Sequence, residues 1–161
     1  MQIEMMIKGL MVDPMTNMPI VILRDDGGER ILPIWVGIFE ANAIALQIEN
    51  VETPRPMTHD LLRNVITDLN GAVEKIVVSD LKENTFYALI HVRIGGELVA
   101  VDARPSDAIA LALRASVPIY VEDTVIENAR SLDFTPEKAD PERLAKWLES
   151  LDPEDLGKYK M

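Results

Sequence analysis

The 161-residue sequence predicts an α+β domain: a mixed, mainly antiparallel sheet built from hairpins and packed against two or three helices, followed by a C-terminal amphipathic helix. Three observations lead there. Short β-branched or alternating runs are separated by turn chemistry, as at Asp25-Asp26-Gly27-Gly28 and Gly95-Gly96. Stretches with helical apolar spacing interrupt these runs near residues 37–50, 58–69 and 105–114. With 48% hydrophobic and 27% charged residues, the chain can bury a real core.

Taken in order, Ile3 to Val12 reads as a strand, turned at Asp13-Pro14-Met15-Thr16-Asn17 into a short strand from Pro19 to Leu23. Arg30 to Val36 returns as a third strand, and Pro33 argues for an edge position or a bulge. Gly37 opens a helix that is apolar almost all round and is expected to be buried. A proline-rich connector follows, then a helix capped by Thr58 with Leu61, Leu62, Val65, Ile66 and Leu69 on one stripe, stopped at Asn70-Gly71. Strands are expected at Val73 to Asp80, Asn84 to Ile94 and Glu97 to Val101. A helix opening at Pro105-Ser106 comes next, since proline suits the first helical turn and serine can cap it. Pro118 to Val121 and Thr124 to Ala129 add a short strand and a short helix.

The composition then shifts. Residues 1–130 read as one domain, and 131–161 as a linker and short acidic tail whose helix carries Leu144, Trp147, Leu148 and Leu151 on one face. That face, with exposed sheet edges, makes a homodimer the expected assembly.

Net charge is −11; residues 1–130 carry 11 basic and 19 acidic side chains, and the tail 5 and 8. This disfavours a general nucleic-acid coat, which binds by neutralising phosphates with lysine and arginine. A local phosphate site built from a few arginines, helix termini or a metal stays open. The absence of cysteine suits a reducing compartment, Glu4 and Lys8 interrupt what would otherwise resemble a leader, and no run approaches a membrane span. A soluble, cytoplasmic protein with no membrane partner is expected.

The chemistry-bearing residues gather at helix starts. Residues 55–60 (RPMTHD) and 102–107 (DARPSD) each join an Arg-Pro, a hydroxyl and an aspartate. Arg55 and Arg104 are planar five-donor forks suited to phosphate, or else to internal pairing with Asp60, Asp102 or Asp107. Ser106 is a further phosphate donor. Glu40 either complements its helix dipole or serves as a partly buried general base or metal ligand. His59 is a surface histidine or a proton-transfer group. Glu40, Asp102 and Asp107 offer the oxygen donors that Mg²⁺ or Mn²⁺ prefers, and Asp60 a further carboxylate. His91 is expected to face solvent from its strand, and Asn84-Thr85-Phe86-Tyr87 is explained by turn chemistry and packing.

Together, LPIWVGIFEANAIA, PRPMTHDLL, NTFYA and VDARPSDAIALA resemble the bifunctional nuclease domain family over about residues 5–130. The tail's LDPEDLGK is similar to endings of bacterial members. The resemblance implies DNase and RNase activity, and its motif positions fall on Glu40, Arg55, His59, Asp60, Asp102, Arg104, Ser106 and Asp107. The expected function is therefore a phosphodiester hydrolase acting on DNA and RNA, with possible metal assistance from Mg²⁺ or Mn²⁺. In that reading Arg55 and Arg104 bind phosphate, Glu40, Asp102 and Asp107 position an ion or the attacking water, and His59 transfers a proton. The alternatives are a non-enzymatic oligomeric module, or a phosphate- or nucleotide-binding domain.

Overall fold

Turn residues set the hairpins. The computed structural model describes residues 1–129, and Asn17, Gly28, Asn70, Asn84 and Gly95 all take positive φ at the tight bends or the helix stop where the sequence places turn formers. The strands they delimit are β1 (Gln2–Val12), β2 (Pro19–Asp25), β3 (Ile31–Trp35), β4 (Gly71–Lys82), β5 (Thr85–Ile94), β6 (Glu97–Ala103) and β7 (Ile119–Glu122). They form one seven-stranded sheet in the order β3-β2-β1-β7-β4-β5-β6. Two antiparallel meanders, β1 to β3 and β4 to β6, are joined by β7, which runs antiparallel to β1 and parallel to β4. The α+β class holds, and Pro33 lies on an edge strand, where its missing N–H costs no ladder bond.

The helices are α1 (Ile38–Ile48), α2 (Thr58–Asp68), α3 (Pro105–Ala115) and α4 (Asp123–Ala129). α3 is the central one: it packs on α1, α2, β4 and β5, and Ala108 to Ala112 are all buried. The small side chains of Ala108, Ala110 and Ala112 let neighbouring backbones approach closely, which brings the helix ends together. Among the described residues, no helix is long and apolar enough to cross a membrane.

Several local expectations are corrected. α1 is not apolar all round to the interior; Ala41, Ala43, Ile44, Ala45 and Leu46 are buried, while Ile38 and Phe39 project outward. The α2 stripe splits: Ile66 packs on the core, but Leu61, Val65 and Leu69 are exposed, Leu69 by 71%. Periodicity identifies such a face without saying what covers it. Thr58 does not cap α2; the N-cap is Met57, whose N–H is satisfied by Asp60 Oδ2 at 3.0 Å. Ser106 does not cap α3, whose N-cap is Arg104 with no side-chain cap bond. His91 shares a face with Tyr87, Leu89 and Arg93 as expected, yet it is half-buried rather than solvent-facing, with Nδ1 sealed from solvent. The expected helix bearing Leu144, Trp147, Leu148 and Leu151 lies outside the described residues.

Candidate active site

Pro105 fixes the backbone at the first position of α3 and leaves Arg104 extended just ahead of it, at φ −71° and ψ 143°. The Arg104 side chain therefore folds back over the first helical turn onto Asp107, three residues on. Glu40 occupies the first turn of α1, Asp107 that of α3, and His59 is the second residue of α2. Three helix N-termini thus meet, and their positive dipole ends account for the acids gathered there.

These four side chains form one continuous chain of contacts. Arg104 Nη2 donates to Glu40 Oε1 at 2.8 Å, and Arg104 Nε donates to Asp107 Oδ2 at 2.9 Å. Asp107 Oδ1 in turn lies 2.8 Å from His59 Nε2. With Asp107 ionised, that spacing puts a proton on Nε2. His59 Nδ1 is buried and has no partner among the described residues. Hydrogen bonds from Arg104 to Asp107 and then Glu40 hold the guanidinium pKa above its usual value. Exposure grades along the chain: the Arg104 side chain is 65% exposed, Asp107 29%, Glu40 16% and His59 8%. The arginine is the part of the cluster that meets solvent, and His59 stands behind Asp107.

Gly37 has a specific task here. A Cβ at that position would collide with the Glu40 carboxylate, so the glycine makes room for Glu40 to fold back at the start of α1.

The other candidates are placed elsewhere. Asp60 spends Oδ2 on Met57 N–H and Oδ1 on Arg114 Nε, the latter at 2.8 Å. Asp102 is exposed on β6, the edge strand, with no hydrogen bond or ion pair among the described residues. Arg55 lies two residues before the N-cap of α2, so the two Arg-Pro helix starts are not equivalent. It borders a polar cavity of about 440 Å³ shared with Asp60, Arg63 and Arg114. Ser106 lines a different cavity of about 530 Å³, together with Arg104.

The carboxylates do not fit a metal as they stand. Glu40 and Asp107 both point at Arg104 Nη2, Asp102 is apart, and among the described residues no three histidine or acidic side chains form a metal-holding group. Arg104 supplies the positive charge at this junction.

Sequence reasoning missed two things. Arg114, near the end of α3, is buried, and it bonds Asp60, Ala110 O and Ala43 O. Its signal was a lone arginine on an otherwise apolar helix. Phe86, which the sequence explains by packing, and Trp35, which it places only in a strand, both line the cavity beside Arg104.

A family model described as bifunctional nuclease domain matches residues 21–133. An uncharacterised protein of Mycobacterium tuberculosis is 42% identical over 162 aligned residues, covering 95% of this chain and 97% of its own. Bifunctional nuclease 1 of Oryza sativa subsp. japonica is 28% identical over 68% of this chain, and bifunctional nuclease 2 of Arabidopsis thaliana 29% over 63%. The alignments span 34% and 32% of those two plant proteins, about a third of their length.

Proposed function

The chain belongs to the bifunctional nuclease domain family, and from that premise we propose that it hydrolyses phosphodiester bonds in DNA and RNA where its three helix N-termini meet. The observation that carries this reading is the state of Arg104. Nε and Nη2 are held by Asp107 and Glu40, while Nη1 has no partner among the described residues and the side chain is largely exposed. A cation fixed in place with one donor edge free is a phosphate contact that needs little reorganisation on binding.

In this mechanism the scissile phosphate lies against Arg104 Nη1, the α3 N-terminus and Ser106. Asp107 and Glu40 orient the attacking water and accept its proton. The water oxygen bonds to phosphorus, one ester P–O bond breaks, and the departing alkoxide takes up a proton. His59 holds Asp107 from behind and acts through it. Arg55 contacts a more distant phosphate of the same strand. Asp60 belongs to the architecture through Arg114, and Asp102 stands outside the chemistry. No step is routed through a divalent ion.

The direct test incubates purified protein with supercoiled plasmid and with single-stranded RNA, in Mg²⁺, in Mn²⁺ and in chelator. Cleavage that falls at least about a hundredfold in Arg104→Ala and Asp107→Asn supports the site. Cleavage that survives both substitutions moves the chemistry elsewhere, and none under any condition removes the enzyme.

One observation favours a second reading. Glu40, Arg104, Asp107 and His59 are paired with each other, as they would be in a staple joining α1, α2 and α3 in a non-enzymatic module. Under that reading Arg104→Ala lowers the melting temperature by several degrees and leaves no activity to lose. For assembly we propose a homodimer, supported by the exposed α2 stripe and the open β6 edge; sedimentation tests it.

A further inference from the structure

We propose that the cavity beside Arg104 receives one unpaired nucleotide, so that the substrate class is single-stranded nucleic acid; this rests on the phosphodiesterase reading above. The cavity encloses about 530 Å³, within the range of small-ligand sites. Its apolar wall includes Trp35 and Phe86, from β3 and the start of β5. Trp35 is fixed in place, its indole N–H donating to Asp13 Oδ2 at 3.0 Å. The same cavity is lined by Arg104, Pro105 and Ser106 at the N-terminus of α3.

A helix N-terminus alone would say little, but Ser106 adds an independent sign. It is only 6% exposed, it lines the cavity, and its hydroxyl has no hydrogen-bond partner among the described residues. Its oxygen is not among the sealed polar atoms, so the hydroxyl opens to the cavity and is available to accept from or donate to a ligand group there. Phosphate oxygens at the start of a helix, beside an arginine, are such a group. At the mouth, Thr85 and Asn84 are exposed with no side-chain hydrogen bonds among the described residues, so they are free for polar edges of a base.

One cavity thus combines aromatic surface with phosphate donors, at the scale of one nucleotide. Bases in a duplex are paired and stacked, and extruding one is costly. With 11 basic against 19 acidic side chains in residues 1–130, the charge balance does not favour the broad phosphate neutralisation by which duplex backbones are held. An unpaired base needs no extrusion, and its stacking on an aromatic side chain adds affinity beyond what phosphate contacts supply.

The test is a fluorescence titration of full-length protein in a Trp147→Phe background, which leaves Trp35 as the single tryptophan. The probes are adenosine 5′-monophosphate, adenosine and inorganic phosphate, then a single-stranded oligonucleotide and its duplex. Expected are quenching by the monophosphate, affinity about tenfold above adenosine or phosphate alone, and a similar preference for the single strand over the duplex. Ser106→Ala and Phe86→Leu should each weaken the monophosphate several-fold; if Phe86→Leu does not fold, Thr85→Ala at the exposed rim replaces it. Equal affinity for duplex and single strand, or phosphate as tight as the monophosphate, overturns the proposal. So do variants that lose monophosphate binding yet cleave single strands as before, and that result leaves the phosphodiesterase reading intact. Selective monophosphate binding without cleavage under any condition sustains the nucleotide cavity and removes the phosphodiesterase reading instead.

Discussion

Arg114 and Asp60 form a pair across two helices, Nε to Oδ1 at 2.8 Å, with the arginine side chain only 2% exposed. The remaining guanidinium nitrogens are also used: Nη1 donates to Ala110 O and Nη2 to Ala43 O, both at 2.9 Å. One cation therefore ties α1, α2 and α3 together beneath the site. Losing it strands Asp60 and two carbonyls in a poorly solvated place. Arg114→Ala should lower unfolding stability by about 3 kcal/mol, measured by urea denaturation. Asp60→Asn keeps a polar partner and should cost less. A loss within about 0.5 kcal/mol in Arg114→Ala would show that the pair does not hold the helices.

Gly37 and Glu40 give a way to disturb the site with little harm to the fold. Gly37→Ala is compatible with its φ of −71°, so backbone strain is absent, but the new Cβ displaces the Glu40 carboxylate. Arg104 then loses one of its two anchors. The expectation is a melting temperature near that of the parent and a cleavage rate reduced about tenfold, close to the rate of Glu40→Gln. Full activity in Gly37→Ala would mean that Glu40 does not aim Arg104.

His59 offers a test of holding against proton transfer. It reaches Asp107 through Nε2 and is otherwise enclosed. If its task is to hold the carboxylate, Gln, whose amide can donate from a similar position, should retain most of the cleavage rate, while Leu should not. If His59 itself transfers a proton in turnover, both variants fall together. Measuring kcat and KM for the two variants decides between these outcomes.

The hairpins were legible because their information is local: Gly28, Asn84 and Gly95 advertise positive φ, and alternation marks the flanking strands. The insertion of β7 between β1 and β4 was not. A four-residue strand carries no sign of its neighbours, and the parallel pairing with β4 is set by packing. The site was legible in part for the same reason. Its charged residues sit at helix starts, a local signature, so Glu40, His59, Arg104 and Asp107 all stand among the candidates read from the sequence. Which of them touch was not legible, since 64 residues separate Glu40 from Arg104 and 48 separate His59 from Asp107. Arg114 was missed because a single charge on an apolar helix looks like a solvent-facing residue until the opposing helix is in place.

His91 supplies a pH dependence. Burial first, and then Lys75 opposite it on β4, push its pKa below the usual 6.5, with Glu74 pulling weakly the other way. The folded protein resists protonation there more than the unfolded chain does. As pH falls through about 6.5, the unfolded chain takes up a proton that the folded one refuses, so stability drops, and the drop ends below the folded pKa. The urea midpoint should therefore fall between pH 7.5 and pH 5.5 more in the parent than in His91→Gln. Parallel pH profiles would mean that His91 is hydrated as well in the folded state as in the unfolded one.

Asp102 and Asp107 flank the same arginine in sequence but differ in every physical respect. Asp107 is gripped by Arg104 and His59, whereas Asp102 projects from the sheet edge without a partner among the described residues. A divalent ion held by Glu40, Asp102 and Asp107 would have to draw the edge strand inward and drive Arg104 out from between the other two carboxylates. Exchanging an internal cation for an external one is opposed because the arginine already hydrogen-bonds both acids, offsetting one of their two charges, and loses no translational freedom. Asp102→Asn should accordingly leave cleavage within about twofold of the parent and leave Mn²⁺ affinity unchanged by calorimetry, while Asp107→Asn abolishes cleavage. Arg104→Met in turn should raise Mn²⁺ affinity, since it exposes two uncompensated carboxylates. If Asp102→Asn instead removes both Mn²⁺ binding and activity, the three acids act as one metal site, and Arg104 has to move aside during turnover.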